Sequence, residues 1–217
     1  METLTELVLN TEYAGMIITP SIITRLAGGS HARRWGLVNR ALQSDEFIHL
    51  KRGMYLLSPA LSRMEISSLS IANRLAPESY VTMESALAYF GWLQEEPMLV
   101  QSCIVRGRER TFRNALGSFE YTRIPVADSD FYKCVLRETL PNGYALVASP
   151  ERAIGDLVYD RRLKWEGILG LCAALRTDVS NLSEINTDDL REISLIYRSA
   201  KARNFLSRCA SALDGGS

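Results

Sequence analysis

Apolar residues along this chain switch between helical and alternating spacing, and the switches mark its elements. Residues 3–13 predict a first helix, with Leu4, Leu7, Val8 and Tyr13 packing inward. A second helix is predicted over Ser21 to Leu26. Pro20 precedes it, Ser21 is placed to cap it, and Ile22, Ile23 and Leu26 share one apolar face. Gly28 and Gly29 then permit a sharp turn, because glycine takes positive φ without steric cost. Ser30 caps a third helix running to Gln43, with Ala32, Trp35, Val38, Ala41 and Leu42 toward the core. Ser30, Arg33, Arg34, Leu37 and Arg40 fall on its other side. After Asp45-Glu46, the run FIHLKRGMYLL alternates as two short strands turning at Lys51-Arg52-Gly53.

The polar joint SPALSRME (58–65) divides the pattern into a unit over 1–60 and a second over 61–217. The second unit opens with a helix from Glu65 to Leu75. The segment APESYV follows as a turn and short strand, and Thr82 caps a helix in MESALAYFGW. A β-rich middle follows in QSCIVRG, RTFRNA, SFEYTRIPVA and CVLRETL. Asn142-Gly143 signals a tight turn into YALVAS. Ser149 caps a helix through PERAIGDLVYDRR, with Pro150 in the first helical position, where a missing N–H costs nothing. Helices near 164–176 and from Thr187 to Leu213 close the chain, and the last residues, from Asp214, read as a disordered tail. The fold class expected is α+β: an N-terminal winged helix-turn-helix, then a mixed α/β domain with a mainly antiparallel sheet and terminal helices.

Helix, tight turn, arginine-bearing helix and basic hairpin form the order that lays one helix in the DNA major groove with a wing beside it. Whole-chain charge is balanced, with 25 cations and 25 anions. Between Arg25 and Arg52, however, six basic residues face two acidic ones, a footprint for phosphate. Arg33, Arg34 and Arg40 are the candidates for base edges, and Lys51 and Arg52 for phosphate or the minor groove. Ser30 and His31, at the helix start, suit either role.

Composition removes other classes. The four cysteines lie far apart without a CxxC pair, which argues against a zinc site or a disulfide scaffold. The start METLTELVLNTEYAG has no basic n-region, and no apolar run approaches the ~20 residues of a membrane span. A cytoplasmic protein without a membrane partner is expected. Both histidines sit in the first unit, and no G-x-S-x-G, Walker loop or HExxH occurs. Gly117-Ser118, followed after nine residues by Asp128-Ser129-Asp130, has the spacing of a nucleotidyltransferase magnesium site. Its context opposes this, because β-formers rather than a helix follow Ser118 and a polar residue separates the aspartates. No catalytic, metal or cofactor site is expected.

Three blocks carry a family resemblance: RGMYLL at the wing, IANRLAPESYVTMESALAYFGW in the middle, and YALVASPERAIGDLVY near the last strand. Together, over about residues 15 to 160, the chain resembles the AbiEi-type antitoxins of type IV toxin–antitoxin modules in abortive phage infection. Gly155 stands where that family usually has a bulkier apolar residue, and Arg152 where it has a lysine. The resemblance implies a winged helix that binds inverted repeats in the module's own promoter and represses it. It also implies a C-terminal domain that counteracts a nucleotidyltransferase toxin without needing a stable complex. The alternative is an antitoxin that neutralises its toxin by direct contact. In the middle block, Tyr80, Leu87, Tyr89, Phe90 and Trp92 are expected to fill a core, and Ser79 and Thr82 to cap. Arg106, Arg108, Arg110, Arg113 and Arg123 form either a second basic surface for antitoxicity or solvated charges that keep a sheet edge from aggregating. The last helix, with Arg191, Arg198, Lys201, Arg203 and Arg208 beside its apolar face, either docks a partner or packs on its own domain.

Overall fold

In a computed structural model of the chain, residues 2–95, 97–141 and 143–215 are described. The first sheet is small. Helix α1 (Leu4–Leu9) starts from a capping box in which Thr3 Oγ1 accepts from the Glu6 amide and Glu6 Oε2 accepts from the Thr3 amide. Strand β1 (Ile17–Ile18), α2 (Pro20–Ala27), α3 (His31–Gln43), β2 (Phe47–Lys51) and β3 (Met54–Leu57) follow. The strands pair antiparallel in the order β1-β3-β2, with Ile17 opposite Leu56, Phe47 opposite Leu57, and a bulge between His49 and Lys51.

Both faces of this sheet are apolar, and each has its own destination. Ile18, Phe47, Tyr55 and Leu57 join Leu4, Val8, Ile23, Leu37, Val38 and Ala41 in one core. Ile17, Leu50 and Leu56, on the opposite face of the pleat, belong to the core of the rest of the chain. The hairpin therefore has one side on its own helices and one on the second unit.

That second unit continues with α4 (Pro59–Ser62), α5 (Ser68–Leu75), β4 (Ser79–Val81), α6 (Met83–Tyr89), β5 (Leu99–Ile104), β6 (Arg110–Asn114) and β7 (Gly117–Thr122). A 3₁₀ turn (Asp128–Asp130), β8 (Val135–Leu140), β9 (Gly143–Ala148), α7 (Pro150–Arg161), α8 (Gly167–Leu175), α9 (Val179–Leu182), α10 (Thr187–Ile196) and α11 (Ala200–Asp214) complete it. The sheet order is β6-β7-β5-β4-β9-β8. Pairs β4–β9 and β5–β7 are parallel and the other three antiparallel, so the sheet is mainly antiparallel, as expected, with two parallel pairs at its centre. Helix α5 covers one face, where the Tyr121 hydroxyl donates to the Ala72 carbonyl (2.7 Å). Helix α7 covers the other, where Tyr80 reaches Asp156.

Several elements differ from their expectation. The second helix starts at Pro20, so Ser21 lies inside it and cannot cap. Helix α5 starts at Ser68 rather than Glu65. The single helix expected over Thr187–Leu213 is two, broken at Tyr197–Ser199, and the break lets Tyr197 reach into the core. Thr82 stands at the N-cap of α6 without capping, because its hydroxyl is committed to Asp156. Ser79 is a buried residue of β4. Of the expected core aromatics, Tyr80 and Trp92 are buried and Tyr89 is exposed. Asn142, Gly216 and Ser217 lie outside the described residues, so the Asn-Gly turn and the end of the expected tail do too.

Candidate nucleic-acid interface

The candidate interface is built on the α2–α3 turn. Gly28 and Gly29 both hold positive φ (57° and 68°), and Ser30 Oγ accepts from the Arg33 amide (3.2 Å), as a cap should. Helix α3 buries Leu37, Val38 and Ala41. Trp35, expected in the core, is 55% exposed, and Leu37, expected on the outside, is 3% exposed. The two assignments differ by a rotation of the helix about its axis. Small Ala32 and Ala41 fit either face and do not fix that angle.

The outward stripe is then Ala32, Gly36, Asn39 and Gln43, opposite the buried row. Trp35 flanks it on one side, and Arg33 and Arg40 on the other. Two small residues let another surface come close, and the two amides each offer a donor and an acceptor. Sequence reasoning passed over Trp35, Asn39 and Gln43 as contact residues. Rotating the helical wheel to bury Leu37 would have exposed all three.

The cationic residues of this unit are placed unequally. Ser30, His31, Arg33, Arg40 and Arg52 are exposed. Arg33 Nη1 donates to the Ala27 carbonyl (2.5 Å), and Arg34 Nη1 to the Gly28 (3.4 Å) and Gly29 carbonyls. Both guanidinium groups thus fold back on the C-terminal end of α2, where its dipole favours a cation. The Arg40 head lies back over Gly36, where an added Cβ would meet its Nη1 at 3.3 Å. Lys51 departs most from expectation. Its Nζ donates to the Leu75 carbonyl (2.7 Å) and lies 5.5 Å from the Phe112 ring centre, so it points at the second unit. Burial, with Arg110 nearby, lowers its pKa. Asn114 Nδ2 adds a bond to the Leu50 carbonyl (3.3 Å). The hairpin tip is therefore tied down on the β2 side, which leaves Arg52 outward.

The five arginines of the middle region do not form one surface. Arg106 pairs with Asp128 (2.9 Å), with both side chains mostly exposed. Arg110 lies over Phe112 and Tyr121, about 5.9 and 5.8 Å from their centres. Arg108 and Arg113 are exposed, the latter on the opposite side of β6 from Arg110. Arg123 faces a separate cleft beside α11. Ser118, the serine of the nucleotidyltransferase-like spacing, lies in β7, and Asp128 and Asp130 lie in the 3₁₀ turn. No group of three or more metal-ligating side chains gathers among the described residues.

A charged network that sequence reasoning missed lies in the second core. Arg152 and Asp156, one helical turn apart on α7, are both wholly buried and paired through Nε and Oδ1 at 2.9 Å. Arg152 Nη1 donates to the carbonyls of Asp130 (3.3 Å) and Lys133 (3.0 Å), and Nη2 to the Tyr80 hydroxyl (2.5 Å). Asp156 accepts from Tyr80 (2.8 Å), Thr82 (2.7 Å) and Tyr197 (2.6 Å). Burial alone would lower the Arg152 pKa, but the Asp156 carboxylate and the two tyrosines more than offset it and hold the guanidinium protonated. Burial, then Asp156, pushes both tyrosine hydroxyls well above their usual range. The network joins β4, α7, the loop before β8 and the α10–α11 corner. Its chemistry is structural, since no member reaches solvent. The available signal was a pair of opposite charges four apart in the otherwise apolar run RAIGDLVY.

Gly155 belongs to the same story. A Cβ there would lie 2.5 Å from the Tyr197 hydroxyl, so its missing side chain is the space through which Tyr197 reaches Asp156. The cysteines are free. Cys103, Cys172 and Cys209 are buried, and burial pushes the Cys209 thiol up to about 12, away from nucleophilic use.

No protein-family model matches the chain, and no curated protein matches it. Three chains of solved structure do. One is the Rv2827c protein from Mycobacterium tuberculosis, 14% identical over 91% of this chain and 75% of that one, with a TM-score of 0.42. At that score the likeness carries no argument. Among the described residues, no helix is long and apolar enough to cross a membrane.

Proposed function

We propose that this chain is a DNA-binding antitoxin that represses its own promoter, with residues 20–57 acting as a winged helix. One observation carries the reading. A thirteen-residue helix, set by a tight glycine turn, leaves its Ala32–Gly36–Asn39–Gln43 stripe free of its own core, flanked by Arg40 and Trp35. That pattern suits a major groove: small residues for close approach, amides for adenine, and arginine for guanine or phosphate. The placement of Lys51 revises the wing. Arg52 is its outward cation, while Lys51 holds the hairpin to the second unit. Arg33 and Arg34 must leave the turn carbonyls, or share them, to meet DNA. Arg40 and Arg52 therefore lead the proposed contacts, with Ser30 and His31 at the helix start.

The resemblance to AbiEi-type antitoxins supplies the rest of the proposal. The operator would be inverted repeats upstream of the gene, and the second unit would counteract a nucleotidyltransferase toxin. The chain itself is proposed as a non-enzyme acting in the cytoplasm. A gel shift on the DNA just upstream of the gene, across a salt series, tests the reading. Specific binding with a steep salt slope supports it. Equal, weak binding to any duplex overturns it. The second reading, direct contact with the toxin, draws on Leu169 and Leu195, which are 75% and 77% exposed on α8 and α10. Co-purification of toxin and chain at a fixed ratio, lost on Leu195→Glu, would favour it.

A further inference from the structure

A cleft of about 620 Å³ opens between the end of β7, the end of α7 and the start of α11. Four cations line it: Arg123 past β7, Arg162 at the C-cap of α7, Arg198 before α11, and Lys201 in its first turn. All four are exposed, and among the described residues none takes part in an ion pair. Elsewhere on the surface, Arg106, Lys133, Arg161 and Arg191 each have a carboxylate partner. Four cations against two carboxylates, Glu109 and Asp160, leave the lining a net positive charge, a local field that attracts an anion.

Further features shape that anion. Helix α11 begins in the cleft; Ser199 Oγ accepts from the Ala202 amide (3.4 Å), and the positive end of the helix dipole favours a negative group there. Arg203 Nη1 donates to the Tyr197 (2.8 Å) and Arg198 (2.9 Å) carbonyls, which fixes the corner carrying Arg198. Two carboxylates, Glu109 and Asp160, share the wall with the cations. Burial first and Glu109 next raise the Asp160 pKa. Tyr159 and Leu163 supply an apolar part of the lining.

We propose that this cleft binds a nucleoside triphosphate. The volume lies within the ~300–1,000 Å³ of small-molecule sites. Duplex DNA would need an extended stripe instead. The cations and the α11 terminus suit the phosphates, the Asp160 and Glu109 carboxylates suit ribose hydroxyls, and the apolar wall suits a base. This site is independent of the proposed DNA contacts of α3.

The test is calorimetric titration of the full chain with ATP and, separately, with inorganic triphosphate. An Arg198→Glu, Lys201→Glu variant is titrated alongside, and its thermal melt checks the fold. Saturable ATP binding is expected, weakened at least about tenfold in the variant, about 1.4 kcal/mol, with upstream-DNA binding unchanged. No saturation by ATP at millimolar concentration overturns the proposal. Equal binding of inorganic triphosphate and ATP overturns its nucleoside part. Loss of duplex affinity in the variant, with no ATP binding by the wild type, makes the cleft an extension of a DNA surface and likewise overturns it. Failure of the α3 reading would show in the gel shift alone and leave the titration intact.

Discussion

Helices α3 and α7 both carry an arginine near one end, Arg40 in the last turn of α3 and Arg152 in the first turn of α7, and they use them in opposite ways. On α7, Arg152 has lost all its water and replaced it with one carboxylate, two carbonyls and a hydroxyl. On α3, Arg40 keeps its water and has no carboxylate partner among the described residues. A desolvated guanidinium must be satisfied where it stands, so it locks elements together and cannot serve a ligand. A hydrated one contributes little to stability and can exchange water for phosphate or a base edge. The difference teaches that charge alone does not mark a binding surface; charge left unsatisfied by the fold does.

The largest test breaks the α7 side. Asp156→Ala should cost about 3–5 kcal/mol, because it strands a buried guanidinium. Urea denaturation measures it, and a loss no larger than a surface substitution would refute the network's role. Gly155→Ala comes next, at about 1–3 kcal/mol of overpacking against Tyr197. Pairing it with Tyr197→Leu should cost less than the sum of the two, since the clash needs the ring.

On the α3 side, Arg40→Ala should weaken operator binding by about 1–3 kcal/mol while moving stability by no more than about 0.5 kcal/mol. Unchanged affinity in the gel shift removes Arg40 from the interface. Lys51→Met stands between the two regions. It should lower stability by about 0.5–1.5 kcal/mol through the lost bond to Leu75 and leave the salt dependence of DNA binding alone. A salt slope reduced by about one would instead return Lys51 to a phosphate.

The hairpin and the start of α3 were legible because their signals are local. Ser30 caps, Gly28 and Gly29 turn, and Lys51-Arg52-Gly53 reverses the chain wherever the rest of the protein lies. The same holds for Ser149 and Pro150 at the start of α7. The rotation of α3 was not legible. Trp35 and Leu37 are both apolar, and which one is buried depends on the surface α1, α2 and the sheet present. Nor was the direction of Lys51, whose acceptor, the Leu75 carbonyl, lies 24 residues downstream. For the candidate site, Arg40 and Arg52 could be named from the sequence, whereas Asn39, Gln43 and Trp35 became candidates only once the buried face was known.

The α2–α3 turn, the reversal of the hairpin and the caps at Ser30 and Ser149 were determined by the sequence alone. They depend on neighbours within a few residues, and the backbone there has few alternatives. Tertiary structure decided how the strands line up as β6-β7-β5-β4-β9-β8, that the hairpin serves two cores, and that Arg152 and Asp156 are buried together. Tertiary structure also brought Arg123, Arg162, Arg198 and Lys201 to one cleft. Each of these depends on segments far apart in the chain coming together, and its free energy exists only after packing has removed the water between them.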